Sequence, residues 1–348
     1  MTWTKEMPAN PVVAVAGATG AVGQEFMNVL HDLDFPASEV RALASARSAG
    51  KKIPFGGCGQ VPEGELTVQE MTPESFEGVD IALFAAGAGV SKQMREAVVA
   101  AGAVMIDNSS AFRMEEDVPL VVPEVNPDDV KWHNGVIANP NCTTIIMSVP
   151  LKALHDVAPI KRVVVSSYQA ASGAGAPAMA ELYDQTREYL DGKRDDELTI
   201  SAFAHQIAFN CIPHIDVFMD DDYTKEEWKM VVETKKIFHA PIAVAPTCVR
   251  VPVLRCHAES VDVEFESPVT IEQAREALEA KEGVTVMDDP ANNVYPMPGL
   301  LQGTNDVYVG RLRNDPTIEN GLQFWCVGDQ IRKGAALNAV QIAQLLLP

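Results

Sequence analysis

Three features of the sequence predict an α/β protein built in two parts. An apolar run, a glycine-rich turn and an amphipathic segment follow one another directly from Pro11 to Leu33. Short apolar strands then alternate with helices and end in small or polar loops as far as Ala138, and beyond residue 160 the texture changes to longer, alternating strands. The expected architecture is a Rossmann-like, doubly wound nucleotide-binding domain over residues 1–141, then an α+β substrate or dimerisation domain over residues 142–330 with a mixed or antiparallel sheet. The closing segment, residues 331–348, reads as a helix with Ala336, Val340, Ala343 and Leu347 along one face, and is expected to pack back on the first domain.

Taken in order, Pro11 to Ala16 reads as a buried strand and Gln24 to Leu33 as a helix with Phe26, Val29, Leu30 and Leu33 at helical spacing. Between them Gly17, Gly20 and Gly23 form G-x-x-G-x-x-G, where glycines let the backbone approach a pyrophosphate and the helix start offers N–H donors. A second strand, Val40 to Ala44, runs into Ser45 to Gly50. An acidic residue at that point suits a free ribose hydroxyl, whereas Arg47 flanked by Ser45 and Ser48 suits a 2′-phosphate, so the sequence points to NADP. Further strands are expected at Asp80 to Ala86, Ala103 to Ile106 and Val136 to Ala138, with a helix from Val90 to Ala101.

The last of these strands delivers the chain to Asn139-Pro140-Asn141-Cys142-Thr143-Thr144, ahead of an apolar helix expected from Thr143 to about His155. A cysteine at a helix start meets unpaired N–H groups and the positive end of the helix dipole, both of which favour the reactive thiolate. Cys142 is therefore a candidate nucleophile. Later come a strand from Arg162 to Gln169, a helix from Pro177 to Leu190, a helix from about Lys225 to Phe238, and alternation from Arg255 to Glu266 that turns His257 inward with Val261, Val263 and Phe265. Two more strands are expected at Val307 to Leu312 and Leu322 to Val327, and Asp289 to Asn305 reads as the longest loop.

Composition excludes several classes. The 348 residues carry a net charge of −21, which disfavours nucleic acid and anionic membranes as partners. Apolar content of 47% and charged content of 22% are those of a globular chain. The six cysteines include no C-x-x-C pair and no histidine cluster at ligand spacing, so no metal site and no disulfide framework is expected. No stretch has membrane-spanning length and the first ten residues lack the pattern of a secretion signal, which makes the cytoplasm the expected location.

A nucleotide turn, a helix-start cysteine and an inward histidine suggest thiolate addition to an aldehyde, hydride transfer to a nicotinamide and cleavage of the acyl thioester. The chain resembles the aspartate-semialdehyde dehydrogenases throughout, in residues 17–23, 45–50, 110–113, 139–144, 168–175, 233–237, 250–253 with His257, and 332–336. The resemblance implies that Cys142 is the nucleophile and thioester carrier, Gln169 orients the intermediate, and His257 is the general base or acid. It assigns Arg250 to the substrate carboxylate, where strand parity alone suggests Arg255, and Glu233 to the substrate amine. Arg113 and Lys236 would bind phosphate. Thr19, Gly20, Ala21 and Val22, beside Gly17, would meet the pyrophosphate, Arg47 and Ser48 the 2′-phosphate, and Ser172 and Gly173 the nicotinamide end. The family's cofactor contact near the C-terminus, usually an Asn after an Asp, is Gln330 after Asp329 here, a longer amide in the same place.

The implied reaction is the reversible, phosphate-dependent and NADP-linked interconversion of L-aspartate 4-semialdehyde and L-4-aspartyl phosphate, on the route to lysine, threonine, methionine and isoleucine, by a homodimer. Two alternatives compete with it. N-acetyl-gamma-glutamyl-phosphate reductases share the chemistry but set their cysteine in Gly-Cys-Tyr, unlike Asn141-Cys142-Thr143. A non-catalytic NADP-binding regulatory protein would have no chemical need for Cys142, Gln169, Arg250 and His257 together.

Overall fold

The computed structural model describes residues 3–348 and divides into two compact units, one of residues up to Asn141 together with Ala335–Pro348, the other Cys142–Gly334. In the first unit the elements are β1 (Val12–Ala16), α1 (Ala21–Asp32), β2 (Glu39–Ala44), β3 (Lys52–Phe55), β4 (Gly64–Thr67), β5 (Gln69–Glu70), β6 (Ile81–Phe84), α2 (Ala88–Ala100), β7 (Val104–Asp107) and β8 (Val136–Ala138). The second unit holds α3 (Cys142–Val157), β9 (Ile160–Gln169), α4 (Ala176–Leu190), α5 (Lys225–Phe238), β10 (Ala243–Arg250), β11 (His257–Phe265), α6 (Ile271–Ala280), β12 (Val284–Val286), β13 (Val307–Asn314) and β14 (Gly321–Gly328). The last helix, α7 (Asn338–Leu345), belongs to the first unit.

The first unit is built on a six-stranded, all-parallel sheet in the order β5-β2-β1-β6-β7-β8, and β3 and β4 pair separately as an antiparallel ribbon. Strands covered on both faces must be apolar throughout, and Val13 to Ala16, Ile81 to Phe84 and Val104 to Ile106 are fully buried. Helix α1 buries Phe26, Val29 and Leu30, while α7 adds Val340, Ile342 and Ala343 to the same core. At about 1.5–3 kcal/mol for each large aliphatic side chain, these residues bind the two helices to the sheet. Helix α1 starts at Ala21, three residues before the expected Gln24, because the exposed Gly20 already serves as its extended N-cap.

The sheet of the second unit is mixed, in the order β10-β9-β11-β14-β13-β12. The outer pairs β10–β9 and β12–β13 are parallel, and the inner pairs antiparallel. Three sequence expectations need correction here. The alternation read from Arg255 starts only at His257, because Cys256 takes a left-handed φ of 75° and turns the chain just before the strand. The closing helix is not α-helical from Ile331: residues Arg332–Leu337 form a wider π-helical turn, and the α-helix begins at Asn338. The stretch between α4 and α5, residues 191–224, is longer than the expected loop at 289–305 and carries the short 3₁₀ turn Asp195–Glu197 and isolated bridges such as Ile212 with Arg250.

Candidate active site

The sheet register of the second unit brings three of the candidate residues to one end of three neighbouring strands. Arg250, the last residue of β10, pairs with Gln169, the last residue of β9. On the other side of β9, Ala258 pairs with Tyr168, so His257 at the start of β11 lies beside the Gln169–Ala170 corner. Backbone groups of that corner hold both neighbours. The Ala170 N–H donates to His257 Nδ1 at 3.1 Å, and Arg250 Nη1 donates to the Ala170 carbonyl at 2.6 Å. Space is tight, since a Cβ at Gly173 would lie 2.9 Å from Arg250 Nη1 and 3.2 Å from His257 Nε2.

Cys142 reaches the same corner through its own helix. It is the first residue of α3, and Gln169 Nε2 donates to Oγ1 of the next residue, Thr143, at 2.8 Å. The Cys142 sulfur is half-buried and lies 3.9 Å from the same Oγ1. The π-helical turn closes over it from behind: a Cβ at Gly334 would come within 3.0 Å of the Cys142 Cβ. The site thus joins a thiol at a helix start, a carboxamide, a guanidinium and an imidazole around one sheet end.

Electrostatics assigns each group a state. An N–H that points at Nδ1 requires a lone pair there, so the neutral His257 ring carries its proton on Nε2, which is buried and has no hydrogen-bond partner among the described residues. Burial pushes the His257 ring well below the usual imidazole range, the Arg250 charge adds to this, and the Cys256 carbonyl opposes it. For Arg250, burial lowers the guanidinium somewhat, while Glu226, Cys142 and Cys248 favour its charge. It remains a cation set in a dry wall, able to grip a carboxylate.

The other assigned residues divide between the units. Glu233 is 1% exposed on the inner face of α5, and Lys236 is half-buried one turn on. Ser172 and Gln330 are both buried and joined by a hydrogen bond from the Gln330 amide, whose oxygen accepts the Cys256 N–H at 2.8 Å. The longer side chain is therefore spent within the second unit, on the turn that carries His257. Arg113 lies in the first unit, where Nε donates to the Asn139 carbonyl at 2.9 Å and Nη2 to that of Asn108 at 2.8 Å.

The first unit also holds the glycine turn. Gly17 has a φ of 87° and no room for a side chain, since a Cβ there would sit 2.6 Å from the Ala85 carbonyl oxygen. Gly20 caps α1 without a side-chain hydrogen bond and is exposed with Ala21, while Thr19 and Val22 are half-buried beside it. Arg47 is exposed and Ser48 buried on a 3₁₀ turn at the end of β2. A bare helix start beside a glycine turn, with an arginine at the second strand's end, fits the pyrophosphate and ribose of a dinucleotide.

Sequence reasoning passed over two contributors. Thr143 bridges the Cys142 and Gln169 elements, and Glu226 is buried against Gln169. Neither carries a signal of its own in the sequence, although Thr224-x-x-Glu227 marks the helix start that places Glu226. Among the described residues no group of three or more His, Cys, Asp or Glu side chains could hold a metal ion. Nor is any helix among them long and apolar enough to cross a membrane.

The chain is similar to known proteins over nearly its whole length. Residues 12–133 match the family model of the semialdehyde dehydrogenase NAD-binding domain, and residues 151–333 that of the semialdehyde dehydrogenase dimerisation domain. The chain is 53% identical over 339 residues to aspartate-semialdehyde dehydrogenase of Aquifex aeolicus, covering 96% of this chain and 97% of the relative. It superposes on aspartate semialdehyde dehydrogenase II of Vibrio cholerae, solved as a complex with ASA, with a TM-score of 0.91 at 45% identity, covering 99% and 98% of the two chains. For the Candida albicans aspartate semialdehyde dehydrogenase solved with NADP the TM-score is 0.72 at 26% identity, with 97% and 98% covered. The chain belongs to the aspartate-semialdehyde dehydrogenase family of oxidoreductases.

Proposed function

We propose that the chain catalyses the phosphate-dependent, NADP-linked interconversion of L-aspartate 4-semialdehyde and L-4-aspartyl phosphate, through an acyl thioester on Cys142. The observation that carries this reading is the meeting of the Cys142 helix start with Gln169, Arg250 and His257 at one end of the second sheet. Arg250 grips the substrate carboxylate, and Glu233 receives the amine. The Cys142 thiolate, favoured by the start of α3, adds to the aldehyde carbon and leaves negative charge on the aldehyde oxygen. His257 keeps its proton on Nε2 and hydrogen-bonds that oxygen, a donor role suited to a ring that stays neutral. Bound NADP supplies the hydride acceptor. Cys142 then carries the aspartyl group as a thioester until phosphate, held by Arg113 and Lys236, attacks the acyl carbon and releases the thiolate.

Thr19, Gly20, Ala21 and Val22 hold the cofactor pyrophosphate in this reading, and Arg47 with Ser48 selects the 2′-phosphate. Ser172 and Gly173 meet the nicotinamide end, with Gln330 behind them. We further propose a cytoplasmic homodimer paired through the second unit, in keeping with the dimerisation-domain match. The test is NADPH absorbance with aspartate semialdehyde, with and without phosphate, and with the N-acetylglutamate semialdehyde as control. Phosphate-dependent NADPH formation from aspartate semialdehyde is expected, with loss of at least about a thousandfold in Cys142→Ala. Full turnover in that variant would remove the thioester, and preference for the control aldehyde would reassign the substrate.

A further inference from the structure

Helix α4 carries two buried polar side chains one turn apart, Glu181 and Gln185, which are 3% and 0% exposed. Both are spent on the irregular stretch that follows the helix. Glu181 Oε2 accepts the Ser201 N–H and hydroxyl, each at 2.8 Å, and the Ala202 N–H. Gln185 Oε1 accepts the N–H groups of Ile207 at 2.8 Å and Ala208 at 3.0 Å, while its amide donates to Glu181 Oε1 at 3.0 Å and to the Thr199 carbonyl at 2.8 Å. Releasing the loop would strand these buried groups without partners, which is costly. The stretch is tied at its far end too, where Ile212 exchanges both backbone hydrogen bonds with Arg250, at 2.9 and 2.8 Å.

Phe203 is held between these ties. Its half-buried ring packs on the apolar cluster of Ala171, Leu182 and Ile207, and the Arg250 guanidinium carbon stands over the ring, 5.8 Å from its centre. The face of an aromatic ring attracts a cation and sheds water. Arg250 itself is 6% exposed, and its Nη1 is already fixed on the Ala170 carbonyl. A planar guanidinium held at one nitrogen and flanked by a ring presents a defined edge to a carboxylate.

We propose that Phe203 is a positioning residue for the substrate carboxylate: fastened by Glu181 and Gln185, its ring fixes the plane of the Arg250 guanidinium and keeps water from it. An ion pair shielded from water is stronger than one left open to it, so the ring acts on substrate binding rather than on phosphate or hydride transfer. The assignment deepens the reading of Arg250 given above and rests on it.

Steady-state kinetics of the full chain test it. Phe203→Ala is expected to raise the KM for aspartate semialdehyde about tenfold, with kcat and the KM for phosphate held within about twofold. Phe203→Tyr, which restores a ring, is expected to return that KM to within about twofold of wild type. Glu181→Ala frees the loop and should raise the same KM, yet add little to Phe203→Ala, since both act through one ring. An unchanged KM in Phe203→Ala would overturn the proposal, as would equal rises for aldehyde and phosphate. Full additivity of the two substitutions would remove Glu181 from it. A second readout needs no turnover. Phenylglyoxal, a reagent for arginine, should label Arg250 several-fold faster in Phe203→Ala than in wild type, read by mass spectrometry of the Arg250 peptide. Equal labelling would reject the ring as the cover of Arg250 even if the wild-type protein proved inactive with aspartate semialdehyde, a failure that would count against the substrate assignment alone.

Discussion

His257 and Glu259 stand two residues apart on one face of β11, both fully buried, and burial drives them in opposite directions. Burial lowers the His257 ring well below its ordinary value, so the folded ring is neutral where the unfolded one would take a proton. Its effect on stability is felt as pH falls through about 6.5, where the unfolded chain binds the extra proton and folding weakens. If this neutral ring serves as an Nε2–H donor, kcat/KM will show no limb near pH 6.5. The variant His257→Gln, whose amide can reach a similar position, will keep more activity than His257→Ala. A limb near 6.5 that vanishes in both variants would return His257 to the role of a titrating base.

Glu259 behaves in the opposite sense. Burial raises its carboxyl well above 4.5, and among the described residues the Cys326 thiol, 3.9 Å from Oε2, opposes this. The folded state holds a proton that the unfolded state has released, so stability is fullest below pH 4.5 and is lost as pH rises from there. Replacing Glu259 by Gln removes the titration while keeping the shape. Thermal denaturation is expected to show a Tm above wild type at pH 8 and a smaller difference at pH 5. A larger gain at pH 5 would show that the carboxyl is not the source of the pH dependence.

At the scale of elements, the turn between β1 and α1 depends on contact between two of its own glycines. A Cβ on Gly23 would lie 2.1 Å from the Gly17 carbonyl oxygen, backbone that cannot move aside without shifting β1. Gly23→Ala is expected to cost about 2–3 kcal/mol or more and to weaken cofactor binding, measured by denaturant unfolding and by NADPH fluorescence titration. Glycine spacing made this element legible in the sequence, as periodicity did for α1 and most of β11. Strand β10 escaped notice because Pro246 lies within Ala243–Arg250, and a proline argues against a central strand. Here β10 is the edge of its sheet, where a missing donor costs least. Two inner carboxylates of α5 were hidden for a related reason: charged residues on a helix normally face solvent, and only tertiary packing buried Glu226 and Glu227 along with Glu233.

At the scale of the molecule, the first unit is assembled from two separated stretches of chain, and α7 supplies part of its core. Val340 and Ile342 are fully covered, and Asn338 Nδ2 donates to the Val121 carbonyl at 3.0 Å and to Asn139 Oδ1 at 2.6 Å. Removing residues 335–348 is expected to leave residues 12–141 open to limited proteolysis, and a truncated protein as resistant as the full chain would show α7 to be dispensable. The apolar face of this helix was readable in the sequence. The π-helical turn before it was not, because it depends on Gly334 meeting Cys142, a contact between residues far apart in sequence. For the candidate site, residue types and helix starts could be read directly. The tautomer of the His257 ring could not, since it is set by the Ala170 N–H.

The split origin of the first unit also bears on how the protein is made. Synthesis runs from the N-terminus, and domains commonly fold as they emerge. Here residues 12–141 leave the ribosome long before the helix that seals their core, while residues 142–334 are complete in one continuous stretch. The core of the first unit is closed only once Ala335–Pro348 has been made, so its apolar surface is expected to stay open for longer while the chain is still tethered. Ribosome-bound chains stopped at residue 334 should therefore be cleaved by protease within residues 12–141, and equal protection there before and after α7 emerges would remove this dependence.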